Sequence, residues 1–172
     1  MSRGTSVPKI DKTAFVAPTA VVMGNVTLGP ESSVWYTSVL RGDMAPIVIG
    51  AQTNIQDGTI VHVDAGFPCT IGERCGVGHK AILHGCTVED ECLIGMGSLL
   101  LNGVRIGTGS VVAAGAVVPE GMQVPPGSLV MGVPGRIVRQ VTPELAERIT
   151  GTWQHYVAQA EDHRSGKYPM HA

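Results

Sequence analysis

The 172 residues carry 12 Lys and Arg against 14 Asp and Glu, a formal net charge of −2, with 15% charged and 44% hydrophobic residues. This balance offers no basic footprint for nucleic acid or an anionic membrane surface, and no apolar run approaches the ~20 residues of a membrane-spanning helix. Glycine is abundant at 23 residues but dispersed among Val and Ile, and aromatics amount to 4%. Frequent turns around a core of small branched aliphatics predict an all-β coil rather than a disordered chain.

Met1 to Asp11 has neither the basic and apolar regions of a secretory signal nor the Arg- and Ser-rich character of a transit peptide, so a cytoplasmic protein is expected. From Val16 onward, aliphatic residues recur every sixth position through Val22, Leu28, Val34 and Leu40. Residues 41–48, which include Arg41, Asp43 and Met44, stretch this step, and Ile49, Ile55 and Val61 resume it. Residues 62–70 stretch it again. The period then continues through Ile71, Val77, Leu83, Val88, Ile94, Leu100, Ile106, Val112 and Val118, with one five-residue step before Val88. Glycine often follows the aliphatic residue, as at Gly29, Gly50, Gly72, Gly95 and Gly107, and a small residue such as Ser32, Ser98 or Ala116 precedes the next by two.

A six-residue period matches neither an amphipathic helix nor plain strand alternation. It matches a solenoid with three short strands per coil, each contributing one inward aliphatic and a tight corner where glycine tolerates unusual backbone. The predicted architecture is an all-β, left-handed parallel β-helix of about six coils over residues 12–120, in one domain spanning residues 1–172. The two stretched steps predict a loop or bulge, where function tends to sit. Cys69 and Cys86, like Cys75 and Cys92, are 17 apart, so each pair is expected to stack on successive coils as buried thiols. Residues 121–141 read as turns and a connection. Thr142 as N-cap, Pro143 at the first helical position and Glu144 in the first turn then open a C-terminal helix over 142–163. Leu145, Ile149, Trp153, Tyr156 and Ala160 form its packing face, and residues Arg164 to Ala172 are expected to fray.

His62 directly follows Val61 and His84 directly follows Leu83, three hexads apart, so they share one face on adjacent coils ~4.8 Å apart. That spacing suits zinc, whose ~2.0–2.1 Å bonds to nitrogen place tetrahedral donors about 3.3 Å from one another. His79 lies in the intervening hexad and faces another wall. A site shared between subunits of a trimer reconciles the three; scattered surface histidines, two stacked by accident, are the alternative. Nearby, Arg41 and Asp43 serve either as a structural ion pair or in the site. Asn54 and Gln56 are candidates to orient a reacting group, and Asp57 equally suits a turn before Gly58.

Arg41-Gly42-Asp43, Asn54-Ile55-Gln56-Asp57-Gly58, His62, Gly78-His79-Lys80-Ala81-Ile82-Leu83-His84-Gly85-Cys86 and Leu93-Ile94-Gly95-Met96-Gly97 together resemble the γ-class carbonic anhydrases. The resemblance runs over roughly residues 8–140. It implies a homotrimer of left-handed β-helices with Zn2+ (or Fe2+ or Co2+) at each subunit interface, bound by His62 and His84 of one chain and His79 of its neighbour. It implies that Arg41 and Asp43 help to knit the trimer. It also implies that Gln56 and Asn54 orient bicarbonate or the metal hydroxide, with Asp57 behind them and Tyr156 reaching the site from the helix. The implied activity is reversible hydration of CO2 to bicarbonate by a metal-bound hydroxide, with no nucleic-acid or membrane partner.

The sequence departs from that family in two places. Met44 stands where active members carry glutamate. Val63-Asp64-Ala65-Gly66 replaces their acidic loop with its proton-shuttle glutamate, and Asp64 is its only acidic residue. A catalytically weak or inactive γ-type metal-binding homologue is therefore one alternative. A hexapeptide-repeat acyltransferase or thioesterase, resting on a single histidine and CoA, is another.

Overall fold

The computed structural model describes residues 6–171. Part of the N-terminal segment read above as leaderless, residues 1–5, lies outside them, as does residue 172. Parallel strands wind into a β-solenoid of about seven turns, followed by one α-helix, Pro143–Arg164. Each turn contributes a short strand to each of three walls.

The first wall stacks Val21, Val39, Ile60, Ile82, Leu99 and Val117 in register, each followed by the inward aliphatic. The second stacks Val26–Leu28, Ile47–Ile49, Cys69–Ile71, Thr87–Val88, Arg105–Ile106 and Gln123–Val124. The third runs from Phe15–Val16 through Ser33–Val34, Asn54–Ile55, Gly76–Val77, Leu93–Ile94 and Val111–Val112 to Ser128–Met131. The six-residue series of aliphatics occupies these walls in turn, and all its members except the half-buried Val16 and Val22 are buried. Each fully buried Leu or Ile contributes about 1.5–3 kcal/mol, which a lone coil cannot collect because its faces need neighbours above and below.

Three sequence expectations need correction. The solenoid does not end near Pro119: Gln123–Val124 and Ser128–Met131 add strands to the ladder, and Arg136–Gln140 then pairs antiparallel with the last of them. The glycines after the aliphatics are not needed for unusual torsions. A Cβ at Gly50 would lie 2.5 Å from the carbonyl carbon of Gly72, and one at Gly95 would lie 2.4 Å from the amide of Ala114, so glycine lets adjacent coils touch. Finally, the segment after Arg164 is not frayed as far as Tyr168: Lys167 pairs with Asp162, and the Tyr168 ring lies 5.0 Å from His163.

Residues 41–48 do not form a loop. They belong to one long strand, Val39–Ile49, that turns the corner between two walls and takes up the extra residues as a bulge opposite Gly24–Val26. Residues 64–67 close a tight turn in which the Phe67 amide donates to the Asp64 carbonyl at 3.0 Å. The four cysteines are buried free thiols, with Cys69 Sγ 3.9 Å from Cys86 Sγ. Hydrogen bonding to the stacked neighbour, reinforced by burial, pushes the Cys75 and Cys86 thiols well up.

The helix begins at Pro143, with Thr142 in extended backbone at the N-cap. The Thr142 hydroxyl bonds the Glu144 carboxylate instead of a helix N–H, which holds that carboxyl below its usual range. Ile149 and Ala160 are buried, and Leu145, Trp153 and Tyr156 half-buried. The few aromatics concentrate here: Phe15 and Trp35 pack with His163, whose Nδ1 lies 2.8 Å from the Tyr36 hydroxyl, and Tyr156 packs edge-on against Trp35. The helix is thereby clamped along the third wall, beside the turn that carries His79. No helix among the described residues is long and apolar enough to cross a membrane.

Candidate metal centre

Strand register places Arg41, His62 and His84 in one row on the first wall, each a residue beyond an inward Leu or Val. The imidazoles stand side by side with centroids 5.0 Å apart, and His62 Nδ1 lies 3.0 Å from His84 Nε2. Their outer nitrogens are both engaged. His62 Nε2 lies 3.1 Å from the Asp43 carboxylate and His84 Nδ1 lies 2.8 Å from the Asn102 carbonyl oxygen. Carboxylate and carbonyl oxygens only accept, so these nitrogens carry protons, and in neutral rings the lone pairs of His62 Nδ1 and His84 Nε2 face each other. Two convergent lone pairs repel unless a cation or proton lies between them. Their separation is close to that of two imidazoles on one tetrahedral metal ion.

Each partner is itself held. Asp43 forms an ion pair with Arg41 within the same chain. Desolvation opposes ionisation of Asp43, but hydrogen bonds from Arg41 and His62 outweigh it and keep the carboxyl below its usual range. Asn102 Nδ2 donates to the Asp64 carboxylate at 3.0 Å, which fixes the amide orientation and so the His84 tautomer. A Cβ at Gly85 would lie 2.3 Å from Asn102 Oδ1, so glycine after His84 is what admits this amide.

His79 sits elsewhere, on the turn that leaves the third wall. Its Nδ1 lies 2.9 Å from Asp57 and its Nε2 lies 3.4 Å from the Tyr156 hydroxyl. A carboxylate behind Nδ1 leaves Nε2 as the basic atom, the arrangement that orients metal-binding histidines. The His79 side chain is 42% exposed, leaving room for an external group. Burial, then the charge of Asp57, raise the Tyr156 phenol to about 12, so it stays protonated at neutral pH and keeps a hydroxyl hydrogen to share in a hydrogen bond.

Asn54 and Gln56 join this second cluster rather than the first. Gln56 is buried, donates from Nε2 to Asn54 Oδ1 at 3.0 Å and lines a cleft of about 440 Å³ with His79, Leu93, Val111, Leu129 and Leu145. One chain therefore brings together Arg41, Asp43, His62 and His84 on one wall, and Asn54, Gln56, Asp57, His79 and Tyr156 at another. Asn102 was not singled out from the sequence. Its signal was its position 18 residues, one full coil, beyond His84.

Comparison with known proteins gives the family. Residues 85–120 match the bacterial transferase hexapeptide (six repeats) family. The chain is 42% identical over 158 residues to a carbonic anhydrase of Geobacillus kaustophilus, covering 92% of this chain and 87% of that protein. It is 43% identical over 164 residues to the mitochondrial γ carbonic anhydrase 2 of Arabidopsis thaliana, and spans 59% of that relative's length. A crystal structure of a hexapeptide transferase family protein from Anaplasma phagocytophilum superposes with a TM-score of 0.86 at 37% identity, covering 90% of this chain and 91% of that one. On this likeness over nearly the whole chain, the protein belongs to the γ-carbonic anhydrase family.

Proposed function

We propose that the chain catalyses reversible hydration of CO2 to bicarbonate as a homotrimer, with a divalent cation held by His62 and His84 of one chain and His79 of the next. The observation that carries this reading is the pair of ring nitrogens 3.0 Å apart, each ring held by a partner on its opposite nitrogen. Zinc suits a set of three neutral imidazoles, and Fe2+ or Co2+ are accepted by the same donors. When bound, the cation supplies the Lewis acidity that lets water ionise near neutral pH.

The chain's own residues do the remainder. Asp43 and Asn102 hold two rings in the metal-accepting tautomer, and Asp57 does so for His79. Gln56, its amide set by Asn54, presents a fixed polar group beside His79 to orient CO2 or bicarbonate. Tyr156 donates near the same nitrogen. The proton released in each turnover leaves to solvent, to which the Asp57 and His79 side chains are 41% and 42% exposed.

Trimer formation is supported by an apolar ladder beside the histidines. Val21, Ile60 and Ile82 are 45%, 36% and 40% exposed, and they stack in line with Val39, Leu99 and Val117 one residue before the inward row. An exposed stripe of this kind marks a face that another chain covers. Four unpaired buried thiols support a reducing compartment such as the cytoplasm.

A metal-stabilised scaffold is the second reading, favoured by Met44 and by the short turn at residues 64–67, neither of which supplies a glutamate. Stopped-flow CO2 hydration, with metal content and oligomeric state determined on the same sample, separates the two. Hydration that requires the metal and is lost in His79→Ala is expected. One metal per chain in a trimer without hydration would instead establish the scaffold.

A further inference from the structure

The turn at residues 64–67 brings one more donor to the histidine pair. Among the described residues, His62, Asp64 and His84 each offer a ligand atom, and these atoms all lie within 4.8 Å of one another. Asp64 is well anchored for an exposed residue. It follows the fully buried Val63, its carbonyl accepts from Phe67, and one carboxylate oxygen accepts from Asn102 Nδ2 at 3.0 Å. Asn102 in turn accepts from His84, so a single amide ties the carboxylate to the imidazole.

We infer that Asp64 is a metal ligand, and that each chain alone presents a two-histidine, one-carboxylate set able to take a divalent first-row cation before a neighbour supplies His79. This rests on the γ-type reading of His62 and His84 and adds to it a third donor from the same chain. The set is chemically coherent. Two imidazoles and one carboxylate would be a donor set that divalent first-row metals accept without filling their coordination. The carboxylate also offsets part of the ion's charge, which matters on a wall where Arg41 stands in register with His62 and is paired with Asp43. Metal loading then precedes assembly, and His79 completes a site already charged with its ion.

The test is Co2+ and Zn2+ titration of chelator-stripped protein by calorimetry and by the Co2+ absorption spectrum, with light scattering on each sample. Wild type, His79→Ala, Asp64→Asn and the double variant are compared. Asn at position 64 keeps an acceptor for Asn102 but loses the charge, so a purely positioning role for Asp64 survives this change. His79→Ala should still bind one Co2+ per chain, about 10- to 100-fold more weakly. Asp64→Asn in that background should remove at least about another tenfold and alter the Co2+ spectrum. The proposal is overturned if His79→Ala takes up no metal while wild type takes one per chain, or if the double variant binds as well as His79→Ala. A wild type that takes up no metal would overturn the γ-type reading as well.

Discussion

At the scale of single residues, the site is built from acceptors that decide where histidine protons sit. Asp57 behind His79 is the clearest case, because its carboxylate lies 2.9 Å from Nδ1. Asp57→Asn should therefore weaken metal affinity about 10- to 100-fold while the fold is retained, as read by metal titration and circular dichroism. Tyr156, with its phenol raised to about 12, stays protonated throughout the neutral range. Its replacement by Phe should change the size of the hydration rate but add or remove no inflection in the pH profile below about pH 10. Much at this scale was legible beforehand. His62 and His84 were placed on one face because each follows an inward aliphatic, and the wrong-facing His79 was evident from the same count. Asn102 was missed because an Asn before Gly103 looks like any turn residue. Only the neighbouring coil gives it a histidine to hold.

At the scale of a strand or corner, glycines divide by what their missing Cβ would meet. Gly95→Ala would drive a methyl group into the Ala114 backbone amide, whereas Gly97, at φ +65°, has nothing within 4 Å. The first substitution should cost about 1–3 kcal/mol or more through overpacking. The second should cost about 1–2 kcal/mol, for the left-handed torsion alone. Urea unfolding of the two variants checks the order. The sequence pattern showed where glycines recur but not which demand each answers, since both follow the same period.

An ionic corner gives a pH prediction of known sign. The Thr108 amide and hydroxyl both donate to the Glu89 carboxylate at 2.9 Å, and with Arg105 they hold it below its ordinary 4.5 against desolvation. A lowered folded-state value means that the contribution to stability is complete above about pH 4.5 and disappears as pH falls through the folded value. The gap in melting temperature between wild type and Glu89→Gln should accordingly be constant near neutrality and close in acid.

At the scale of the whole molecule, the core was the most legible part, because seventeen aliphatic positions follow a six-residue step with only three breaks. The end of the solenoid was not, since Pro125 and Pro126 resemble an exit when the corner itself uses Pro-Gly. The stacked thiols make the core's integrity easy to follow. All four cysteines are buried, so a thiol reagent should modify none of them in the native protein and all four once denaturant opens the coil. Modification of the native protein would contradict the packing described here.

The antiparallel strand Arg136–Gln140 has a consequence for how copies of the chain meet. A parallel solenoid left open at an end could extend by end-to-end addition into a fibre, since the exposed edge of one copy would accept the first coil of the next. Here the final rung runs in the opposite sense, is shifted by an irregularity between Leu129 and Val130, and is exposed along its length, with Arg136 and Arg139 within it. End-to-end growth needs two compatible ends, so spoiling one is sufficient. Side-to-side association around a rotation axis remains open, and it closes into a ring of finite size, the kind of assembly that the proposed sharing of a site between His79 and the His62–His84 wall requires.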